Sequence, residues 1–445
     1  MPISPARLAA FRALTLLQLE GTIPTDVMNS DLAGPLSVKD QSLATELVYG
    51  VLRRQLQLDW AVSRYCRIAL GKLDLPVLLA LRLGAYQLLC LSRIPARAAV
   101  HESVELVKRA NLRSAAGIVN AVLRRLDRED FQIALGSLDH HSDEGMSILY
   151  SHPAWLVARW RKQLGERAAT CLLKTNNLSP PTFFRMNSPL DPKKALEEMA
   201  RQGVTCQPHP LIDGCWKVVD GTLLKTNPYQ DGRIYIQDPA SQLVPFFLDA
   251  MSGHSCLDVC AAPGGKLSQI ARLTGGGAFL VGMDLRWLRL RSMARLHLKN
   301  WPGLCLVVAN GKEELPFSIK FDRILVDAPC SGTATLQRNP DIRWSLSPVD
   351  FQRLQIAQLT ILENAAQQLK PDGTMVYSTC SLEQEENEDV VELFLGRHLE
   401  FCLGLPQDLR LQQRCTSGGF FKLLPSEWNS DGVFAAILKR RGSAG

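Results

Sequence analysis

The twelve cysteines of this 445-residue chain include no C-x-x-C pair. The nearest approach to a metal cluster, His254, Cys256 and Cys260, has a spacing that fits no usual zinc site. Scattered thiols without a paired framework exclude a disulfide-stapled scaffold and point to a reduced, cytoplasmic protein. Long apolar runs are also missing. A membrane helix needs about 20 such residues, and the most apolar segment, residues 75–91, is interrupted by Arg82. The first 21 residues lack a signal-peptide layout, because Arg7 and Arg12 fall inside their apolar pattern; they read as an amphipathic helix. There is no internal repeat and no low-complexity tract. Charge of one sign is scarce: 50 Lys and Arg stand against 44 Asp and Glu. Such a balance permits a nucleic-acid partner without requiring one. The small excess leans toward residues 1–139, which hold 17 Lys or Arg and 13 Asp or Glu. The expectation is a monomer with no membrane anchor and no metal.

Apolar residues are 46% of the chain, enough for substantial cores. Residues 1–130 read as almost wholly helical, with apolar positions recurring every three or four residues over 9–19, 41–56, 75–91 and 99–126. Breaks carry Gly34-Pro35, Gly71 and Ile94-Pro95. The period is lost over 131–150, which reads as a linker or boundary. A helix is expected from Pro153 to about Leu173, and Asn176, Asn177, Pro180 and Pro181 mark another break. Residues 182–187 and 216–220 suggest strands and 191–202 a helix, a small α/β module; Pro239 opens a further helix to about Ala250. From Ser255 onward, apolar runs at 255–260, 278–284, 305–309, 323–328 and 374–379 alternate with helical segments, and 433–438 adds a last strand. Near-continuous apolar strands alternating with helices imply a mostly parallel sheet covered on both faces. The chain thus reads as multidomain. An all-α bundle spans 1–135, linker helices and a small α/β RNA-recognition-like module span 145–240, and an α/β Rossmann-like domain spans 241–445.

Three segments carry chemistry. The first, Cys260-Ala261-Ala262-Pro263-Gly264-Gly265-Lys266, follows the first strand of the regular region and opens a helix. Small residues there let a ligand approach the backbone at the carboxyl end of the sheet. It is not G-x-G-x-x-G, so a dinucleotide is not implied. Asp284, twenty residues after Gly264 at the end of the second strand, is placed to accept both hydroxyls of a ribose. Turn and acid together fit an adenosyl cofactor, S-adenosylmethionine. The second segment, Asp327-Ala328-Pro329-Cys330-Ser331-Gly332, and the third, Ser378-Thr379-Cys380-Ser381, end two further strands. A single strand-end cysteine is usually a small core residue. Two of them, one beside an acid, are hard to explain as packing.

A methyltransferase acting on carbon 5 of cytosine needs such thiols. That carbon is a poor nucleophile until a thiolate adds to carbon 6 and an acid hydrogen-bonds N3, the place for Asp327; a second thiol can help expel the first. Amino-group methyltransferases need no covalent step and commonly carry Asp/Asn-Pro-Pro-Tyr/Phe where this chain has Asp-Ala-Pro-Cys.

At these residues the sequence resembles the Sun/nucleolar-protein family of RNA cytosine-5 methyltransferases. The resemblance is carried by QDPASQL, DVCAAPGGK, DAPCSGTATLQRNPDIRW and YSTCSLEQEENEDVV, and runs through residues 150–440. The segments VYGVLRR and GIVNAVLRRL are similar to the NusB-type RNA-binding domain. The combination is that of the RsmB/Sun type, which acts on 16S ribosomal RNA, naked or in an early assembly particle. The resemblance, not spacing, implies that Cys380 is the nucleophile and Cys330 assists release. It also implies that Cys260 to Lys266 line the S-adenosylmethionine site, that Asp284 holds its ribose, and that Asp327 lies beside donor and base. Arg185, Asn187, Arg338 and Asp341 fall where the family touches RNA. Two positions depart from the family. Asn310 replaces an acid near the adenine, where its amide can still hydrogen-bond. Ala334 replaces a glycine in the loop leading to Arg338, removing a flexible position. The acids of 383–388 begin a helix, where they suit its dipole. A family member acting on tRNA or another rRNA and a non-catalytic RNA-binding assembly factor are the alternatives. The Cys330/Cys380 pair with Asp327 speaks against the second, and a DNA enzyme would keep its nucleophile in the Pro-Cys segment.

Overall fold

The computed structural model describes residues 3–21, 24, 27, 36–126, 128–187 and 192–441; the expected break at Gly34-Pro35 lies outside them. The chain divides into two compact units. The first comprises residues up to Leu178 together with Asn339–Ser345, and the second Ser179–Arg338 and Leu346 onward.

The first unit is built from helices, the main ones Pro5–Glu20, Val38–Ser63, Leu75–Cys90, Ala96–Arg109 and Ala116–Leu123. Three of these begin where the local sequence favours a start. The Ser37 side chain accepts from Asp40 N (3.2 Å), and prolines stand in the first turn of the Pro5 and Leu75 helices. The helices pack closely at small residues: a Cβ on Gly50 would lie 2.0 Å from the Tyr86 ring, and one on Gly84 would strike Leu123. Arg82, which interrupts the apolar run, is buried with both arms of its guanidinium on Asp59 at 2.7 Å. The expected linker at 131–150 is instead helical, over Arg128–Gly136 and Asp143–Tyr150. Ser142 caps the second of these by accepting from Gly145 N, and Phe131 and Leu135 join the bundle core. Helices of eight or nine residues span too few turns to show a period.

The second unit carries two sheets. In the smaller, β1 (Phe183–Met186), β2 (Thr205–Pro208), β3 (Cys215–Asp220) and β4 (Ile234–Ile236) lie in the order β2-β3-β1-β4, all antiparallel. With helices Pro192–Arg201 and Asn227–Gln230 between strands, this is the β-α-β-β-α-β ferredoxin-like plan. The larger sheet holds β5 (Ser255–Asp258), β6 (Phe279–Asp284), β7 (Leu304–Val308), β8 (Phe321–Asp327), β9 (Leu369–Thr379), β10 (Phe401–Gly404), β11 (Phe421–Leu423) and β12 (Val433–Arg440). Its order is β10-β12-β9-β8-β5-β6-β7, with β11 also on β12. Strands β5 to β9 pair in parallel and β12 runs antiparallel to β9. Apolar clusters fill both faces of the sheet. The chain leaves β5 toward β6 and β7, then returns to β8 on its other flank. The carboxyl ends of β5 and β8 therefore flank a topological switch point, where open α/β sheets bind ligands.

Candidate active site

At that switch point Asp258 ends β5, and the turn to the helix Gly265–Leu273 follows. Gly264 has φ +95°, and a Cβ there would strike Met293 at 2.6 Å and His297 at 2.7 Å. A Cβ on Gly265 would reach Tyr235 at 2.8 Å. The turn thus has no room for side chains on these two residues, and its backbone is left to form a surface. Cys260, Ala261, Ala262, Pro263, Gly265 and Lys266 line a cleft of ≈ 270 Å³, shared with Asp258, Asp327, Asp238, Arg338 and Asp431. Gly264 lies in the turn but not in that lining. Asp284, at the end of β6, is 5% exposed. It accepts from Arg286 N (2.9 Å) and Ala262 N (3.3 Å), so it stitches the two strand-end turns together. Asn310 donates to Glu313 and accepts from Lys312 N, closing its own turn beyond β7.

Asp327 ends β8. One carboxylate oxygen accepts from Lys266 Nζ (2.5 Å), the other from Ser378 Oγ (2.8 Å). Burial alone would lower the Lys266 ammonium, but the Asp327 carboxylate against it outweighs this and the net shift is upward. Burial, then the charge of Asp327, push Asp258 up to about 8, with Lys266 opposing. Burial, followed by Asp258, also raises the Cys260 thiol. On the other wall, Arg338 donates to Asp238 (2.7 Å) and Asp431 (3.0 Å). Burial and the neighbouring Asp238 raise Asp431 to about 7 against the pull of Arg338.

The two strand-end cysteines meet: Cys330 Sγ and Cys380 Sγ lie 3.1 Å apart, and Cys380 N donates to Cys330 Sγ at 3.3 Å. The hydrogen bond with Cys380 and then burial hold the Cys330 thiol well above its ordinary range. What fixes the pair is Glu386, which sequence reading passed over among the acids of 383–388. Its fully buried carboxylate accepts from Ser331 N (2.8 Å), Gln358 Nε2 (2.8 Å) and Ser381 Oγ (2.7 Å). Residues directly after both cysteines are thereby tied to one group. Its sequence signal was position, in a short helical turn six residues past Cys380.

The structure buries two of the residues expected to touch RNA. Arg185 is 0% exposed and Asn187 1%. The Arg185 guanidinium donates to Gln237 Oε1 (2.6 Å), Gly265 O (2.6 Å) and Ser268 Oγ (2.7 Å), and lies over the Tyr235 ring. All these acceptors are neutral, and burial brings the group down to about 9. Arg185 braces the turn of the cleft from β1 rather than facing solvent. Asn187 donates to Gly232 O. Of the other pair, Arg338 lines the cleft, whereas Asp341 belongs to the segment grouped with the first unit, where burial raises its carboxyl. Ala334, buried in the loop after Cys330, donates its N–H to Cys380 O and packs its methyl over Gly432.

Among the described residues no group of three or more His, Cys, Asp and Glu is arranged to hold a metal, and no helix is long and apolar enough to cross a membrane. Family models match three stretches: 16S rRNA methyltransferase RsmB/F over residues 245–439, the NusB family over 4–128, and the RsmF/B-like ferredoxin-like domain over 152–220. A curated relative, the probable ribosomal RNA small subunit methyltransferase B of Bacillus subtilis strain 168, is 34% identical over 418 residues, 92% of each chain. The solved structure of PH0851 matches 99% of this chain and 100% of its own, at 20% identity and TM-score 0.80. A methyltransferase homologue from Pyrococcus horikoshii covers 67% of this chain and 99% of its own, at 26% identity and TM-score 0.58. With a helical NusB domain, a ferredoxin-like module and a parallel-sheet domain of the S-adenosylmethionine-dependent type, the chain belongs to the 16S rRNA methyltransferase RsmB/F family.

Proposed function

We propose that this chain methylates carbon 5 of a cytosine in 16S ribosomal RNA through a covalent bond from Cys380 to the base, with S-adenosylmethionine as donor. The observation that carries the reading is the contact of two thiols at 3.1 Å, at the ends of adjacent strands and beside Asp327. The cleft fits the donor: its floor is a turn without room for side chains, its rim carries carboxylates that suit hydroxyl and ammonium groups, and Asp284 stands behind it. In this reading Cys260 to Lys266 hold the donor by backbone contacts, Asp284 holds its ribose and Asn310 lies toward its adenine. When bound, S-adenosylmethionine supplies an electrophilic methyl group.

The residues act in order. The Cys380 thiolate forms a bond from Sγ to carbon 6, and the carbon 5–carbon 6 electron pair moves into the ring as N3 takes the proton that Lys266 Nζ shares with Asp327, relayed through that carboxylate. Asp327 then accepts from N3–H, its other oxygen held by Ser378 Oγ. Carbon 5 takes the methyl, the donor leaving as its thioether, and then gives up its proton to water. The double bond re-forms, N3 returns its proton through Asp327 to Lys266, the carbon 6–sulfur bond breaks and Cys380 leaves as thiolate. Cys330, kept a thiol by its raised pKa, hydrogen-bonds the departing sulfur. The cytosine must be unstacked to reach these groups.

The test is a denaturing gel of each variant with labelled RNA and donor. Cys380→Ala is expected to give neither methyl transfer nor a retarded band. Cys330→Ala is expected to accumulate protein joined to methylated RNA. The reverse pattern would exchange the two roles, and full activity in both variants would remove the thiol mechanism.

A further inference from the structure

A second cleft, ≈ 460 Å³, lies beside the first in the same unit, and Tyr235 and Ile236 line both. Its volume is in the range of small-ligand pockets. On one side stand the half-buried Tyr229, with Asn187 and Asp231, from the ferredoxin-like module. On the other stand Arg295, Lys299 and Asn300, at the end of the helix Trp287–His297 that follows β6. The Asn187 and Asn300 amides both donate to Gly232 O, at 3.2 and 2.8 Å, and so hold the rim in shape.

Charge identifies the occupant. Residues 285–300 contain Arg286, Arg289, Arg291, Arg295 and Lys299 and no acid. Arg295 and Lys299, one helical turn apart, are exposed and form no ion pair among the described residues. The one carboxylate lining the cleft, Asp231, is matched by Arg233 at 3.2 Å. A pocket with an aromatic ring inside and two unpaired cations at its edge suits a base with its phosphates, the pattern by which single-stranded RNA is held. We propose that this cleft binds a nucleotide of the RNA flanking the target cytosine, its base against Tyr229 and its phosphates on Arg295 and Lys299. The inference rests on the reading that the target base is held at Asp327, which lines the first cleft, because the shared wall at Tyr235 and Ile236 puts the two sites within one strand's reach.

The experiment compares wild type, Arg295→Glu/Lys299→Glu and Tyr229→Ala for methyl transfer to 16S RNA and for filter binding of that RNA across salt. A charge-matched control is Lys320→Glu/Lys439→Glu, at the opposite end of the strands, where Lys320 precedes β8 and Lys439 pairs with Thr374, itself the partner of Arg323 near the start of β8. Both cleft cations are exposed, so the double variant should melt as wild type does; if it does not, the Gln/Gln replacement takes its place. The expected result is a KM for RNA at least tenfold higher, with kcat at saturating RNA within twofold. The log–log salt slope should be shallower by about 1.4, since each phosphate contact on a single strand contributes about 0.7. Tyr229→Ala should raise KM and leave the slope unchanged. RNA binding within twofold of wild type in both cleft variants, or an equal loss in the control, overturns the proposal and leaves the surface to an acidic protein segment. If wild type transfers no methyl to cytosine, the proposed reaction is wrong, and the filter-binding arm still decides whether the cleft holds RNA.

Discussion

Asp284 shows how one carboxylate serves two turns. It accepts two backbone N–H groups, from Ala262 and Arg286, and Arg289 lies 3.5 Å away. In the proposed complex it also takes a ribose hydroxyl. Losing a charged hydrogen bond of that kind costs on the order of 1.5–3 kcal/mol. Asp284→Ala should therefore weaken donor binding by at least tenfold in calorimetry, and Asp284→Asn, which keeps an oxygen for the backbone, should restore the melting temperature before it restores affinity. Affinity within twofold of wild type in both variants would end the ribose assignment. At this scale the sequence was legible where chemistry is local: a glycine turn, an acid at a strand end and two strand-end thiols are visible as residue types. The burial of Arg185 was not: it is decided by Gln237, Gly265 and Ser268, which lie 52 to 83 residues away in sequence.

Elements were legible where they were long or formed part of a regular pattern. The helices Val38–Ser63 and Pro348–Gln367 repeat their period often enough to be read, and the strands β5 to β9 show as near-continuous apolar runs, several of them separated by helical segments. The strands β2, β4, β10 and β11, three or four residues each, carry no period and owe their existence to the neighbours they pair with. The turn Gln384–Glu386 is the clearest case of a short element with a large role. Tyr377 Oη donates to Glu386 O, and Asn387 donates to Ser381 O, so the turn is locked onto β9 and the loop it feeds. Its carboxylate then joins the two cysteine loops. Glu386→Ala strips the partner from three buried donors, each worth about 1–3 kcal/mol when left unpaired, and should lower the unfolding free energy by several kcal/mol. Glu386→Gln retains one acceptor and should fold. Its methyl transfer should fall at least tenfold in kcat with little change in KM for RNA, and Cys380 should be trapped more slowly in a Cys330→Ala background. A Glu386→Gln variant with wild-type kcat would show that the sulfurs hold their geometry without this carboxylate.

On the scale of the whole molecule, composition indicated several domains but not their limits. The lost period and the His, Ser, Asp and Gly of 131–150 resemble a linker, yet Phe131 and Leu135 are buried in the helical core. Among the described residues, every buried member of its main apolar cluster falls between Ala10 and Leu135, with Ile148, Leu149 and the distant Trp344 packed against it. A domain with its own core is expected to fold alone. We therefore expect residues 1–150, expressed as a fragment, to unfold in one cooperative transition. This region matches the NusB family and holds the chain's modest basic excess, 17 Lys or Arg against 13 Asp or Glu over residues 1–139. Binding of the fragment to RNA should consequently be electrostatic and weak. Because each phosphate contact releases condensed counterions, affinity should fall with a log–log salt slope of roughly 1–3, equivalent to a few contacts. Filter binding between low and physiological salt measures this directly. A fragment that folds but binds RNA with no salt dependence would mean that the helical domain recognises protein, and that RNA affinity resides in the parallel-sheet unit with its Arg295 and Lys299 cleft.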